Sequence, residues 1–311
     1  MEIIYGKKEE KLIRSSGVGL GNFDGLHIGH MALINTLIKE SKLNGLDSIV
    51  YTFMKHPENI LRKKLFTPLL TNVGKKIELL GETPLKYLYV DEFDENFSRL
   101  KPEAFVKYVL VDRLRIKLAV AGFNYRFGYK GQGDTELLKE LGKKYGFKVI
   151  VISPIKLDDY VVSSTLIRQY VSRGDMEMVF KLLGRHYSIN GEVHSGRRIG
   201  NTMGFPTANI TPENYLILPN NGVYITKTLL DNTLYSSITN IGRNPTFEGL
   251  EKVSIETHIL DFDKDIYGKK IEVFFISKVR GEKKFENKDA LVKQIERDII
   301  KAREFLSIND N

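Results

Sequence analysis

Residues 16–42 read SGVGLGNFDGLHIGHMALINTLIKESK: a short apolar run, a glycine-bearing turn, then an amphipathic stretch. The run 16–21 reads as a strand, and residues 29–42, with apolar positions three and four apart, read as a helix. A strand that passes directly into a helix opens a βα unit. Working outward, strands are expected at 48–53, 87–93, 118–123 and 147–155, and helices at 73–81, 103–114 and 135–145. Asp134 suits the N-cap of the last helix, and Pro102 suits the first turn of the one before it. Repeated βα units imply an α/β doubly wound parallel sheet with helices on both faces, in which ligands bind beyond the carboxyl ends of the strands.

The pattern changes near Gly184. Strand-like alternation dominates at 187–194, 222–229, 234–241, 252–261 and 270–279, and one long amphipathic helix covers 288–305. Short strands followed by a helix point to a small antiparallel β-barrel with a C-terminal helix. Helices at 164–172 and 175–183 connect the halves. The expected domains are 1–183 and 184–311.

The 311 residues provide for two hydrophobic cores, and 42% hydrophobic with 28% charged residues is ordinary globular composition. With no cysteine, disulfides, thiolate nucleophiles and Cys-based zinc sites are excluded. The first twenty residues lack the unbroken apolar stretch of a signal peptide, and nothing later approaches the roughly 18 apolar residues of a membrane span. The expectation is a cytoplasmic protein without a membrane partner. The net charge of +8 comes with lysines scattered in short pairs, such as Lys63–Lys64 and Lys143–Lys144. That scatter fits small phosphate ligands better than a nucleic-acid stripe.

GNFDGLHIGH, residues 21–30, has neither dinucleotide-loop nor P-loop spacing. It does place a glycine-bearing turn at a helix N-terminus, where backbone N–H groups and the helix dipole favour phosphate. His27 and His30 are three apart, so on a helical turn they share a face and can donate to phosphoryl oxygens as charge builds. A local capping role is the plainer alternative for each. The segment resembles the signature of the nucleotidyltransferase superfamily, whose H-x-G-H supports attack on an α-phosphate with loss of pyrophosphate. VSSTLIR, residues 162–168, resembles the second phosphate element of that superfamily. The resemblance implies ATP contacts from Gly21, Phe23, Asp24, His27, His30, Ser163, Ser164, Thr165 and Arg168.

GFNYRFG, residues 122–128, is a polar, aromatic-bearing loop after the fourth expected strand. It resembles the flavin-side loop of bacterial FAD synthetases, which implies that Asn124 and Arg126 face the flavin. TFMKHP, residues 52–57, resembles another loop of that family, with Lys55 where proline is usual.

In the second half, GRRIGNTMGFPTANI spans residues 196–210. Gly196, Gly200 and Gly204 predict a loop whose backbone approaches a ligand closely, and Arg198 supplies charge. Thr207 and Asn209, two apart, lie on one side of an extended chain and offer hard oxygens suited to Mg²⁺. A glycine-rich hairpin with a proline kink would read the same way. The run resembles the nucleotide and Mg²⁺ signature of riboflavin kinases, with Ile199–Gly200 where many members have Arg–Gly. In VSIETHIL, residues 253–260, Glu256 lies on the strand face opposite Ile255 and Thr257. The riboflavin-kinase resemblance places the catalytic glutamate here.

The resemblance covers both halves and identifies the chain as a member of the prokaryotic bifunctional FAD synthetases. It implies two ATP- and Mg²⁺-dependent activities, phosphorylation of riboflavin to FMN and adenylylation of FMN to FAD. The alternatives are a copy with one working activity, a flavin sensor and a nucleic-acid-binding module. H-x-G-H also occurs in some aminoacyl-tRNA synthetases, but no K-M-S-K-S-like segment accompanies it here.

Overall fold

A computed structural model describes residues 1–6, 14–55, 57–61, 67–194, 203–245 and 251–309. The chain forms two compact units, Met1–Ser164 and Thr165–Asn311.

The first unit is built on six strands: β1 (Glu2–Tyr5), β2 (Ser16–Leu20), β3 (Asp47–Phe53), β4 (Tyr87–Asp91), β5 (Ile116–Gly122) and β6 (Lys148–Ile152). They pair in parallel in the order β1-β4-β3-β2-β5-β6. Helices α1 (Ile28–Leu43), α2 (Pro57–Leu61), α3 (Val73–Gly81), α4 (Glu95–Ser98), α5 (Pro102–Phe105) and α6 (Thr135–Tyr145) connect them. Successive strand residues enter two different cores, as the two-residue period of a strand requires. Val18, Leu20, Ile49 and Tyr51 face one, with Phe105 and Leu138. Val50, Leu88, Val90, Leu118 and Val120 face the other, with Leu33, Ile34 and Leu37 of α1.

Burial on both faces explains why these strands read as apolar runs and not as alternating ones. Gly17 and Gly19 let α1 lie close over β2. A Cβ at Gly17 would come within 2.2 Å of Ser41 Oγ, and one at Gly19 within 3.0 Å of Leu37.

The strand order reverses about β2, with β3 and β4 on one side and β5 and β6 on the other. The crevice beyond the carboxyl ends of β2 and β5 is the position where doubly wound sheets take ligands. The segments 21–30 and 122–128 both leave the sheet there. Helices at 73–81 and 135–145 form as expected, and Asp134 caps α6 by accepting from Leu137 N at 3.0 Å. The helix expected at 103–114 differs. After α5 it continues as a π-helix over Val106–Arg113, whose wider turn places Arg113 on Asp91 at 3.1 Å, beside the Tyr51 hydroxyl donating to Asp91 at 2.7 Å.

A two-residue hairpin, β7 (Lys156–Leu157) and β8 (Tyr160–Val161), precedes α7 (Ser164–Arg173) and α8 (Met176–Leu183). The barrel comprises β9 (Tyr187–His194), β10 (Ala208–Ile210), β11 (Gly222–Leu230), β12 (Thr233–Pro245), β13 (Glu251–Ile259) and β14 (Lys270–Arg280). It closes antiparallel in the order β10-β13-β12-β11-β14-β9. The terminal helix α9 (Lys288–Asn309) docks through Asp298, which accepts from Arg280 Nε and from Gln294 Nε2, both at 2.8 Å.

Pattern alone set the change of character at Gly184, whereas contacts group α8 with the barrel. Met176, Val179, Leu182 and Leu183 of α8 are buried, and Glu177 accepts from Ser277 Oγ of β14 at 2.9 Å.

The barrel interior is partly polar. Thr228, Ser237, Thr226, Thr239 and Thr257 form a linear chain of hydroxyls, each link 2.8–2.9 Å, fully removed from solvent. Mutual pairing satisfies groups that would otherwise be costly to bury.

Candidate active sites

In the first unit, the turn after β2 is bent through three residues of positive φ: Phe23 at 50°, Gly25 at 81° and Leu26 at 42°. Left-handed backbone is costly for Phe and Leu and persists only where the surroundings hold it. Here both side chains are fully buried. Asp24 adds a polar clamp, with Oδ1 accepting from Leu70 N at 3.0 Å and Thr71 N at 3.2 Å, while Gly25 N donates to Thr71 Oγ1 at 3.0 Å. Lys76 of α3 holds the other side, its ammonium donating to Asn22 O at 2.8 Å and to Thr52 Oγ1 at 3.2 Å. Burial depresses the Lys76 pKa to about 8, against a smaller opposing pull from Asp24. At roughly 1.4 kcal/mol per unit, keeping this ammonium ionised costs the fold about 3 kcal/mol.

The turn delivers the two histidines to the start of α1. His27 is the N-cap itself, and its Nδ1 accepts from His30 N at 3.2 Å. A neutral His27 therefore carries its proton on Nε2, which leaves that N–H as its donor. The imidazoles stack with centroids 3.7 Å apart, and Phe23 meets the His30 ring edge-on at 5.3 Å. No acidic residue occupies the first turn of α1, so the positive end of its dipole is uncompensated. Capping through Nδ1 thus leaves His27 a donor at Nε2.

The two expected phosphate elements meet. Ser164, 140 residues further on, donates its hydroxyl to Asp24 O at 2.9 Å. Ser163 is half-buried beside it, Thr165 is exposed, and Arg168 lies one turn along α7 from Ser164. Phe23 and Asp24 are placed beneath the site, where they support it, and Gly21 packs over the Phe23 ring. In the loop after β5, Asn124 and Arg126 are exposed, and Tyr125 stacks on the buried Phe127. Phe53, Phe93, Phe97 and Phe105 continue that aromatic cluster at the same end of the sheet.

In the second unit, strand register does the positioning. Asn209 of β10 pairs directly with Glu256 of β13, which pairs on its other side with Asn240 of β12. Residues opposite one another in a sheet share a face, so Asn209, Glu256 and Asn240 form a row across the outside of the barrel. Thr207 lies two residues before Asn209, whose side-chain amide donates to the Thr207 carbonyl at 3.5 Å. With Val193, Pro206, Ala208, Thr257, Ile259 and Tyr267, Thr207 lines a cavity of about 380 Å³ at the barrel mouth. His258 meets the same segment: its Nδ1 is 2.8 Å from Pro206 O, and its ring meets Phe205 edge-on. Gly204 turns with φ at 85° in open space. Gly196, Arg198 and Gly200 lie outside the described residues.

Similarity to known proteins follows this division. The family model for FAD synthetase matches residues 9–166, and that for riboflavin kinase matches residues 183–306. A bifunctional riboflavin kinase/FMN adenylyltransferase of Buchnera aphidicola subsp. Schizaphis graminum is 37% identical, across 99% of this chain and 100% of that protein. The chain belongs to the bifunctional riboflavin kinase/FMN adenylyltransferase family. The Bacillus subtilis member is 35% identical across 96% of this chain and 95% of its own length. A solved chain described as a macrolide-efflux protein from Streptococcus pneumoniae has the same fold, with a TM-score of 0.89 at 30% identity over 97% of this chain and 99% of that one. No described helix here is long and apolar enough to cross a membrane.

Read from sequence alone, Lys76 and Asn240 have no assigned role, and His258 is structural. Lys76 had a signal: it is four residues from Leu80, on the buried side of α3.

Proposed function

We propose that the two activities of the family, riboflavin phosphorylation to FMN and FMN adenylylation to FAD, are divided between the two units at the sites above. In the first unit, ATP lies with its phosphates against the N-terminus of α1. The FMN phosphate attacks the α-phosphorus and pyrophosphate departs. His27 and His30 donate to phosphoryl oxygens as charge shifts. Ser163 and Ser164 hold the remaining phosphates, and Asn124 and Arg126 receive the flavin near the aromatic cluster. The convergence of Ser164 on the Asp24 carbonyl, joining segments 140 residues apart, is the observation that carries this reading.

In the second unit Glu256 accepts the proton of the riboflavin 5′-hydroxyl as the γ-phosphoryl group of ATP is transferred. The hydroxyl and amide oxygens of Thr207 and Asn209 are a hard donor set that fits Mg²⁺ shared with nucleotide phosphates, and Mg²⁺ would neutralise phosphate charge there. Gly196, Arg198, Gly200 and Gly204 supply the phosphate loop. We place this chemistry in the cytoplasm, where ATP is available.

The test is incubation of the chain with riboflavin, ATP and Mg²⁺, followed by separation of flavins. FMN and FAD together are expected. FMN alone would confine activity to the second unit.

A further inference from the structure

Lys76 is 7% exposed and lies beneath the turn that carries both histidines. Its ammonium is held by two neutral acceptors, the Asn22 carbonyl and the Thr52 hydroxyl, and Thr52 also donates to that carbonyl at 3.2 Å. Among the described residues, Asp24 is the charged group whose field reaches it. The Asp24 carboxylate is itself engaged by the amides of Leu70 and Thr71. The neighbouring cation on α3, Lys75, pairs instead with Glu78 at 2.6 Å.

A buried ammonium without close ion pairing is unfavourable, and an apolar chain of similar length would fill the same space at lower cost. Such a charge becomes favourable when an opposite charge arrives nearby, and adenylyl transfer gathers the phosphates of ATP and FMN at this turn. We infer that Lys76 is a positioning residue for adenylyl transfer, its charge holding the Asn22 carbonyl, and with it the turn, in the form that receives phosphate. The inference rests on the adenylyltransferase reading of the first unit. In the reaction a phosphate oxygen of FMN forms a bond to the α-phosphorus of ATP. The bond from that phosphorus to the bridging oxygen breaks, and its electron pair leaves on pyrophosphate. Lys76 gives up no proton and stays charged throughout.

The experiment follows FAD formation from FMN and ATP by the full chain, from roughly pH 6.5 to 9.5, in wild type, Lys76→Met and Lys76→Arg. Wild-type kcat/KM for ATP should fall as pH rises through about 8, where Lys76 loses its proton. Lys76→Met should be about tenfold slower at neutral pH, the lower end of what outer-layer partners cost at metal sites, and should lack that descending limb. Lys76→Arg, which does not titrate in this range, should hold its rate through the limb.

Thermal melting separates this role from a purely structural one. A lysine with a depressed pKa destabilises the folded state below that pKa, so Lys76→Met should melt no lower than wild type at pH 7. A Lys76→Met rate equal to wild type, or a limb that persists in Lys76→Met, overturns the inference. So does a wild-type profile flat through pH 8, even if both variants fail to fold. Should wild type make no FAD from FMN, the reading of the unit fails. Should it make FAD at a rate Lys76→Met matches, only the role of Lys76 fails.

Discussion

The turn after β2 and the row on β13 hold their side chains in place by opposite means. The turn is irregular backbone, with Phe23 and Leu26 at positive φ, pinned by the buried Asp24 and Lys76. The row is regular backbone. Asn209, Glu256 and Asn240 stand together because three strands pair in one register, and each side chain reaches the outer surface. An anchored turn can aim N–H groups at one phosphate but depends on every anchor. A register row tolerates change in its members, since the ladder that aligns them is main chain. Sites of the first kind should therefore lose function through their supports, and sites of the second kind mainly through the reacting group.

The largest effect is expected at the turn. Replacing His27 or His30 by Ala should lower FAD formation from FMN by about 10²–10³-fold, the scale for losing one preorganised donor, with FMN formation from riboflavin retained. Steady-state kinetics on the two flavins measures both. Equal loss of both activities would make the histidines structural and erase the contrast.

Glu256→Gln comes next. It keeps shape and removes basicity, so kinase kcat should fall about 10²-fold while KM for ATP stays near wild type. Asn209→Ala should raise that KM as well as slow turnover, because it removes an oxygen proposed for the metal. Neither should alter adenylylation of supplied FMN. A Glu256→Gln kinase at wild-type rate would reduce the row to surface decoration.

Fragments sharpen the comparison at the level of folding. Residues 165–311 should fold and phosphorylate riboflavin. Residues 185–311 should melt several degrees lower, because removing α8 uncovers the barrel surface that its four buried apolar side chains cover. Equal melting temperatures would show that α8 adds nothing to the barrel. The smallest effect belongs to His258→Ala, which frees the Pro206 carbonyl. A two- to threefold rise in kinase KM for ATP is expected, about 0.5 kcal/mol, with kcat unchanged.

Legibility in the sequence followed the strength of the local signal. Val73–Gly81 and Thr135–Tyr145 were readable to the residue, since helical period and a capping Asp134 agree. β1 and β10 were not, because four and three residues carry no period of their own and exist through their neighbours. The π-helical turn over Val106–Arg113 was also hidden: its extra residue per turn leaves the composition helical. At the sites, His27, His30 and Glu256 were chosen on family signatures, and placing them required topology. Lys76 looked like half of an ordinary surface pair with Lys75. Asn240 could not be joined to Glu256 without the β12–β13 register.

The hydroxyl chain inside the barrel carries a matter of proton arithmetic. Five hydroxyls hold five hydrogens, and the four links between them use four. One hydrogen is left over, and every other O–H must point toward the residue that keeps it. If Thr257 keeps it, the cavity at the barrel mouth is offered a donor. If any other member keeps it, Thr257 donates inward and the cavity meets a bare lone pair. A ligand that lodges there with a carbonyl takes the hydrogen of Thr257 and points all four links toward the mouth. One with an amine turns the Thr257 O–H inward. Each does so by rotating O–H bonds without moving a heavy atom.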